Sequence, residues 1–163
     1  MRWWRVLTAV AGWLLVAGII GLSGWAGWLY WERVQTRGEE AARAEVPKLA
    51  TKEIPEVFAY DYQTVERSLS AAYPLLTPDY RQEFQKSANT QIIPEAKKRE
   101  VVVQANVVGV GVMSAKRDSA SVMVYMNRTV TDKSRQPLYD GSRLRVDFKK
   151  VGKQWLINYI TPI

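Results

Sequence analysis

The residue types of an acid–base site occur together at one place in the sequence, where Asp61 lies between Tyr60 and Tyr62. A carboxylate can act as a general base and a tyrosine hydroxyl can donate a hydrogen bond, which is the chemistry of some isomerases. The same residues also suit a turn before a helix, with Asp61 capping backbone amides and the tyrosines packing inward. We favour the turn, because no second reactive group accompanies the cluster.

The other common catalytic groups are missing. The chain contains neither histidine nor cysteine, which excludes thiol chemistry, disulfides, histidine catalysis and the usual zinc sites. Gly109-Val110-Gly111 lies in a strand-like stretch, so it indicates a β-bulge and not a phosphate-binding loop. No acidic run has metal-ligand spacing. We therefore expect no enzyme activity, no catalytic residues, no cofactor and no metal.

Three polar residues in the predicted sheet leave two interpretations open. Tyr125, Asn127 and Tyr159 could point into a pocket or lie on the half-solvated side of the sheet. We favour the solvated side, because strands with one buried face carry polar residues on the other.

A basic surface is the stronger indication of a binding function. The chain has 23 lysine and arginine residues against 16 acidic ones, a net charge of +7, and its basic residues are concentrated near the C-terminus. We single out Arg143, Arg145, Lys149 and Lys150 as a contact surface for anionic lipid headgroups or an acidic neighbour, with ordinary surface charge as the alternative. We expect no nucleic-acid partner, because the domain is predicted to lie outside the cytoplasm.

The N-terminal part of the sequence predicts a membrane anchor. Residues 6–31 carry no charged side chain, and at about 1.5 Å per residue they can cross a hydrocarbon core of roughly 30 Å. The flanking tryptophans resemble an interfacial aromatic belt; they are Trp3, Trp4, Trp25, Trp28 and Trp31. A cleaved signal peptide is the main alternative, but the apolar run is too long and lacks a clear cleavage site.

The orientation and packing of this segment can also be predicted. The short basic N-terminal tail favours a cytoplasmic N-terminus and an extracytoplasmic, periplasmic domain, in a single-pass protein of the plasma (inner) membrane. Ala17, Gly21 and Gly24 lie close together on the helical wheel. Small residues let helices approach closely, so this face could dock another membrane helix.

The residues after the anchor predict a stalk and then helices. Residues 32–46 are charged and rich in alanine, which predicts a solvated helix ending at Pro47; residues 48–58 are interpreted as a linker, because Pro55 interrupts a long helix. Two amphipathic helices follow. Their apolar stripes are Val65, Leu69, Ala72 and Tyr73, and then Tyr80, Phe84, Ala88 and Ile92, with Thr77 as cap of the second helix and Pro94 as its end.

The C-terminal part predicts four antiparallel strands. Residues 100–113 are rich in valine and change their apolar side at Gly109, which predicts a bulge that bends the strand. Residues 120–129, 143–149 and 155–160 follow, two of them with regular alternation. The fold class is therefore α+β, with helices on a curved four-stranded sheet. The predicted divisions are 1–31 for tail and anchor, 32–58 for stalk and linker, and 59–163 for the domain.

The order of these motifs resembles the Mce-associated membrane proteins of actinobacteria. The resemblance is carried by the combination of the anchor, Ala59-Tyr60-Asp61-Tyr62, Leu76-Thr77-Pro78-Asp79-Tyr80-Arg81, Asp118-Ser119-Ala120-Ser121-Val122, Arg143-Leu144-Arg145-Val146-Asp147-Phe148 and Trp155-Leu156-Ile157. No single motif is distinctive. The resemblance covers nearly the whole chain.

The resemblance implies a cystatin-like roll of the nuclear-transport-factor-two type. It also implies a non-enzymatic accessory or scaffolding subunit of an Mce-type lipid-import complex, an ABC transporter, with the permease and the substrate-binding-ring proteins as partners alongside the plasma-membrane lipid. The bitopic assembly subunit of type IV secretion systems has a similar architecture. Two alternatives remain: a lipid-binding domain that uses the cavity of the roll, and a secretion-system assembly subunit.

Overall fold

The computed structural model describes residues 33–163 together with Trp25, Trp28 and Trp31; for the other residues from 2 to 32 it gives only their place in a helix. That helix, α1, spans Arg2–Phe58. Gly38–Ile163 forms one compact unit and Met1–Arg37 another. No helix among the described residues is long and apolar enough to cross a membrane. The predicted docking face of Ala17, Gly21 and Gly24 lies outside the described residues.

The C-terminal part of α1 is a core helix, so the prediction of a solvated helix that ends at Pro47 is wrong. The helix continues through Pro47 and Pro55 to Phe58. An apolar stripe with a spacing of three or four residues is almost fully buried: Ala42, Val46, Ala50, Ile54 and Val57. A proline inside a helix costs about 3 kcal/mol, whereas burying one large aliphatic side chain contributes roughly 1.5–3 kcal/mol. The stripe therefore offsets both prolines.

The sheet has five strands and not the predicted four. The strands are β1 (Tyr60–Asp61), β2 (Val102–Ala115), β3 (Ser119–Thr131), β4 (Leu138–Val151) and β5 (Gln154–Pro162). They follow one another in chain order and every neighbouring pair is antiparallel. The additional strand, β1, was missed because two residues are too short to show an alternating pattern. It pairs Tyr60 with Val103 and Asp61 with Val102.

Bulges curl the sheet. The register of β2 against β3 shifts between Val107 and Gly109, which confirms the bulge predicted at the change of apolar side. A second shift lies between Val112 and Ser114 on the same strand. Each extra residue bends its strand and increases the local twist.

Three short helices connect α1 to the sheet: α2 (Val65–Ala72), α3 (Pro78–Ser87) and α4 (Ile93–Arg99). The buried stripe predicted for α2 is confirmed at Val65, Leu69 and Ala72. Two details of α3 were wrong. Thr77 makes no side-chain cap. Its backbone N–H donates to the carbonyl of Ile157 on β5, which places the Thr77 hydroxyl beside β5, 3.4 Å from Oδ1 of Asn158. Pro94 does not end the stripe either, since it occupies the first turn of α4.

The core lies between α1 and one face of the sheet. From the sheet it includes the inward-facing residues that alternation predicted on β3 and β4, all of them buried: Ala120, Val122, Val124, Met126, Leu144, Val146 and Phe148. Trp155 on β5 is also buried, and its Nε1 donates to Oε2 of Glu45 at 3.1 Å. A smaller cluster around Val65, Leu69 and Val103 fills the space under α2 and α4.

Candidate interaction surface

The face of β3 and β4 opposite α1, called here the outer face, carries exposed aromatic and arginine side chains and a half-buried methionine. Because β-strand side chains alternate, burying Val124 and Leu144 against α1 turns their neighbours to the other side. Tyr125 lies directly opposite Arg143, and Met123 opposite Arg145. The side chain of Tyr125 is 46% exposed.

Two glycines of β2 keep the outer face open beside these residues. Gly109 pairs with Tyr125 and Gly111 pairs with Met123. A Cβ atom added at Gly109 would come no closer than 3.9 Å to the ring of Tyr125, and one added at Gly111 would meet nothing within 4 Å. Close packing of neighbouring atoms therefore does not require glycine at position 109 or 111. Their effect is to leave one side of Tyr125 and Met123 uncovered.

Three of the four predicted basic residues share the outer face. Arg143, Arg145 and Lys149 alternate along β4 with the buried Leu144, Val146 and Phe148. Lys150 lies on the opposite side, where its Nζ is 5.4 Å from the ring centroid of Trp155. Arg145 is partly neutralised by Asp147 at 3.1 Å. Asp147 also accepts a hydrogen bond from the hydroxyl of Ser121.

The Asp61 cluster has the geometry of a turn. Oδ1 of Asp61 accepts a hydrogen bond from the backbone N–H of Gln63 at 2.9 Å, and its carbonyl accepts one from Thr64 at 2.9 Å. Tyr60 packs with Tyr62 against the smaller core cluster, and burial raises the pKa of the Tyr60 hydroxyl. This arrangement supports a turn and packing: the carboxylate accepts the backbone amide of Gln63, while Thr64 precedes α2 without a side-chain cap, so capping of the helix by Asp61 is not observed.

Tyr125, Asn127 and Tyr159 lie on the solvated side of the sheet, as favoured from the sequence. All three are exposed. The ring of Tyr159 is 5.2 Å from that of Tyr80 on α3, centroid to centroid. Burial raises the pKa of Tyr80 to about 12, with smaller contributions from Glu83 and Tyr159.

Two cavities lie at opposite ends of the sheet. One of about 260 Å³ is lined at the end of α1 by Phe58, Met126, Leu144 and Pro162, together with Arg128 and Arg143. The other, of about 450 Å³, lies where β2 turns into β3 and β4 approaches β5; its lining includes Ser114, Lys116, Ser121, Lys149 and Lys150. The side chains of α1 fill the space between sheet and helix, so neither cavity occupies the interior of the roll.

One buried polar residue was missed in the sequence. Glu53 lies on the buried stripe of α1 and is only 9% exposed, and its Oε2 has no hydrogen-bond partner within the described part of the chain. Burial raises its pKa to about 7, Glu56 adds to this shift, and Lys52 opposes it. The signal was present, because Ala50, Glu53 and Val57 share one helical face. It was overlooked because the segment was interpreted as a linker.

Comparison with known proteins gives matches in sequence and in structure, although no family model matches the chain. The chain is 29% identical to an outer membrane protein of Mycobacterium tuberculosis over 163 residues, the full length of both proteins. It is also 29% identical over 151 residues to an uncharacterized protein of the same organism, covering 92% of this chain and 67% of the other.

Several of the structural matches are type IV secretion proteins. An IcmL-like type IV secretion system protein of Legionella pneumophila superposes with a TM-score of 0.62 at 15% identity, covering 74% of this chain and 93% of that one. The VirB8 protein of Agrobacterium tumefaciens gives a TM-score of 0.55 at 12% identity, covering 68% and 84%. At these identities the likeness establishes the fold: helices packed on a curled antiparallel sheet, as in VirB8.

Proposed function

We propose that this protein is a non-enzymatic accessory or scaffolding subunit of a membrane assembly, specifically of an Mce-type lipid-import complex in the plasma membrane. The observation that carries the proposal is the outer face, where Tyr125 and Met123 lie beside Arg143 and Arg145. Aromatic residues, methionine and arginine are the types enriched in protein interfaces. The partners would be the permease and the substrate-binding-ring proteins, together with plasma-membrane lipid.

The comparisons support an assembly role in the cell envelope. The shared fold with type IV secretion proteins fits a scaffolding subunit, and the full-length relative is named an outer membrane protein. The Mce assignment itself rests on the motif resemblance. An assembly subunit of a secretion system is the alternative within the same class.

The proposal includes a single-pass anchor at residues 6–31, with the N-terminus in the cytoplasm and the domain outside. Trp25, Trp28 and Trp31 support it, because their side chains are 62%, 62% and 64% exposed. Tryptophan exposed to this degree is costly in water but favourable at a membrane–water interface.

A lipid-binding domain is the second candidate function, and the cavity at the end of α1 is the observation in its favour. The apolar part of its lining suits an acyl chain, but Arg128 and Arg143 also line it and its volume of about 260 Å³ is small. Ligand pockets usually enclose about 300–1,000 Å³. Because α1 fills the interior of the roll, we rank this function below scaffolding.

Affinity purification of the full chain from its native membrane in mild detergent tests the proposal. We expect the wild-type chain to bring down Mce permease and ring proteins. Tyr125→Ser combined with Arg143→Glu should reduce the recovery of these partners severalfold, because the first substitution removes an aromatic ring from the outer face and the second reverses a charge there. The matched control is Arg67→Glu with Lys98→Glu, which changes two exposed residues on α2 and α4 and should leave recovery unchanged.

A second variant separates the anchor from the domain. Gly21→Leu with Gly24→Leu would obstruct close helix contact in the predicted docking face, without touching the outer face. If only this variant loses the partners, the outer face is not the docking surface. If the wild-type chain brings down no partner, the scaffolding proposal is wrong and lipid binding becomes the better candidate.

A further inference from the structure

We propose that the end of the domain formed by the β2–β3 and β4–β5 turns binds anionic phospholipid headgroups of the membrane that anchors the chain. This surface, called here the hairpin end, comprises Lys116, Arg117, Lys149, Lys150 and Lys153 with the cavity between them. The inference rests on the proposed anchor. The inference assigns a lipid partner to the basic residues near this end. It also adds Lys116 and Arg117 to the basic surface that was proposed from the sequence.

The two turns form one connected surface. The backbone N–H of Lys116 bonds to the carbonyl of Ser119 at 2.7 Å, which closes the β2–β3 turn. The backbone N–H of Lys150 bonds to the carbonyl of Asp118 at 2.7 Å, which joins that turn to the end of β4. The cavity of about 450 Å³ opens between them. Its lining offers a phosphate the hydroxyl of Ser114 and the ammonium groups of Lys116, Lys149 and Lys150 as donors. Asp118 and Asp147 also line it, and they accept the hydroxyls of Ser119 and Ser121.

The cations of the hairpin end have no ion-pair partners among the described residues, in contrast to the opposite end of the sheet. At the opposite end the basic side chains are mostly paired: Lys97 with Glu66, Arg99 with Asp132, Arg128 with Asp140, and Lys133 with Glu100. No carboxylate of residues 33–163 lies within 4.0 Å of the five hairpin-end cations, including Glu39 and Glu40 of α1. They are therefore available to an external anion.

Exposed apolar side chains accompany these charges. Met113 at the end of β2 is 51% exposed and Val151 at the end of β4 is 46% exposed. Lysines interspersed with exposed apolar residues are typical of surfaces that lie on a membrane, where the apolar groups enter the interface and the cations meet the headgroups.

The length of chain between the proposed anchor and the domain limits how far the hairpin end can lie from the membrane. Gly38, the first residue of the unit, packs against the β2–β3 turn: an added Cβ atom would lie 2.7 Å from Cγ of Arg117 and 3.2 Å from its Cα. About seven residues separate Trp31 from Gly38, and they reach at most roughly 25 Å even when fully extended. The opposite end lies a further ~45 Å away along the 14 residues of β2.

A fluorescence experiment on the full chain in lipid nanodiscs tests this inference. Because the chain has no cysteine, single cysteines can carry an environment-sensitive label at either end of β4. Val151→Cys reports on the hairpin end and Leu138→Cys, also exposed, on the opposite end. Each is measured with headgroup-spin-labelled lipid in discs of phosphatidylcholine alone and in discs that also contain phosphatidylglycerol.

We expect strong quenching at Val151→Cys in the anionic discs, weaker quenching in the neutral discs, and little at Leu138→Cys in either. Lys116→Gln, Arg117→Gln and Lys153→Gln together should remove more than half of the anionic-lipid effect, and added salt should do the same. The control pair Lys98→Gln and Arg135→Gln, which lies at the opposite end, should have no effect.

Equal quenching in both lipids, unchanged by the triple variant, would overturn the inference while leaving the anchor intact. Failure of the chain to enter nanodiscs would instead overturn the proposed anchor, and the inference with it. Loss of protein partners in the triple variant with unchanged quenching would assign the hairpin end to an acidic protein and contradict lipid binding.

Discussion

At the scale of single residues, Glu53 is the least expected feature of the domain. A carboxyl group on the buried stripe of α1 loses hydration, so its neutral form is favoured and its pKa rises to about 7. The folded-state pKa lies above the ordinary value of 4.5, so the contribution of Glu53 to stability is complete below about pH 4.5. That contribution is lost as the pH rises through 7.

Glu53→Gln is therefore expected to stabilise the protein at alkaline pH, because glutamine cannot ionise inside the core. We expect a gain of about 1–2 kcal/mol near pH 8, a value reduced for the partial access of water, and almost no change near pH 4. Thermal unfolding of the full chain in detergent across this range measures it. The control is Glu40→Gln, an exposed residue of the same helix that should change little; a stabilisation independent of pH would contradict the ionisation of Glu53.

At the scale of secondary structure, α1 determines which face of the sheet is buried and which is exposed. Its stripe from Ala42 to Val57 covers the inward-facing residues of β3, β4 and β5 and occupies the space that a ligand would need. The outer face remains available for partners because the helices cover the other side of the sheet. The same helix thus accounts for the filled interior of the roll and for the side of the sheet on which the candidate interaction surface lies.

This role of α1 predicts where the domain can be cut. A fragment that begins at Gly38 should fold and unfold cooperatively, whereas one that begins at Ala59 should aggregate, because Val124, Val146 and Ile157 would lose their cover. Each of these side chains is worth roughly 1.5–3 kcal/mol when buried, which together exceeds much of the stability of a small domain. Circular dichroism and size-exclusion chromatography compare the fragments. Equal melting temperatures would show that α1 is dispensable.

At the scale of the whole molecule, the proposed function depends on the domain lying outside the cytoplasm. Gln136→Cys in the exposed β3–β4 turn should react with a membrane-impermeant thiol reagent in intact cells, because a long domain crosses while a short basic tail is retained. Arg2→Cys should react only after lysis. The reverse pattern would place the domain in the cytoplasm and contradict the proposed partners.

Much of the sheet and part of the candidate surface could be predicted from alternation alone. Residues on one β-strand change sides at every step, so the burial of Leu144, Val146 and Phe148 directly places Arg143, Arg145 and Lys149 on the other face. The same rule excludes Lys150, which the sequence-based surface included. The bulge at Gly109 was predicted for the same reason, because a change of apolar side within a strand requires an extra residue.

The sequence by itself determined the features that depend on residues close together in the chain. These are the α+β class, the strands with regular alternation, the apolar stripe of α2, and the absence of histidine and cysteine. The tertiary structure alone decided which segments cover the sheet. The helix between Gly38 and Phe58 contains two prolines and several charges, so its local pattern favoured a stalk and a linker. Its burial is favourable only because β3, β4 and β5 present an apolar face that must be covered. The apolar spacing of this helix does not show which surface it packs against; long-range contacts decide that, and they also bury Glu53, pair β1 with β2, and bring Gly38 to Arg117.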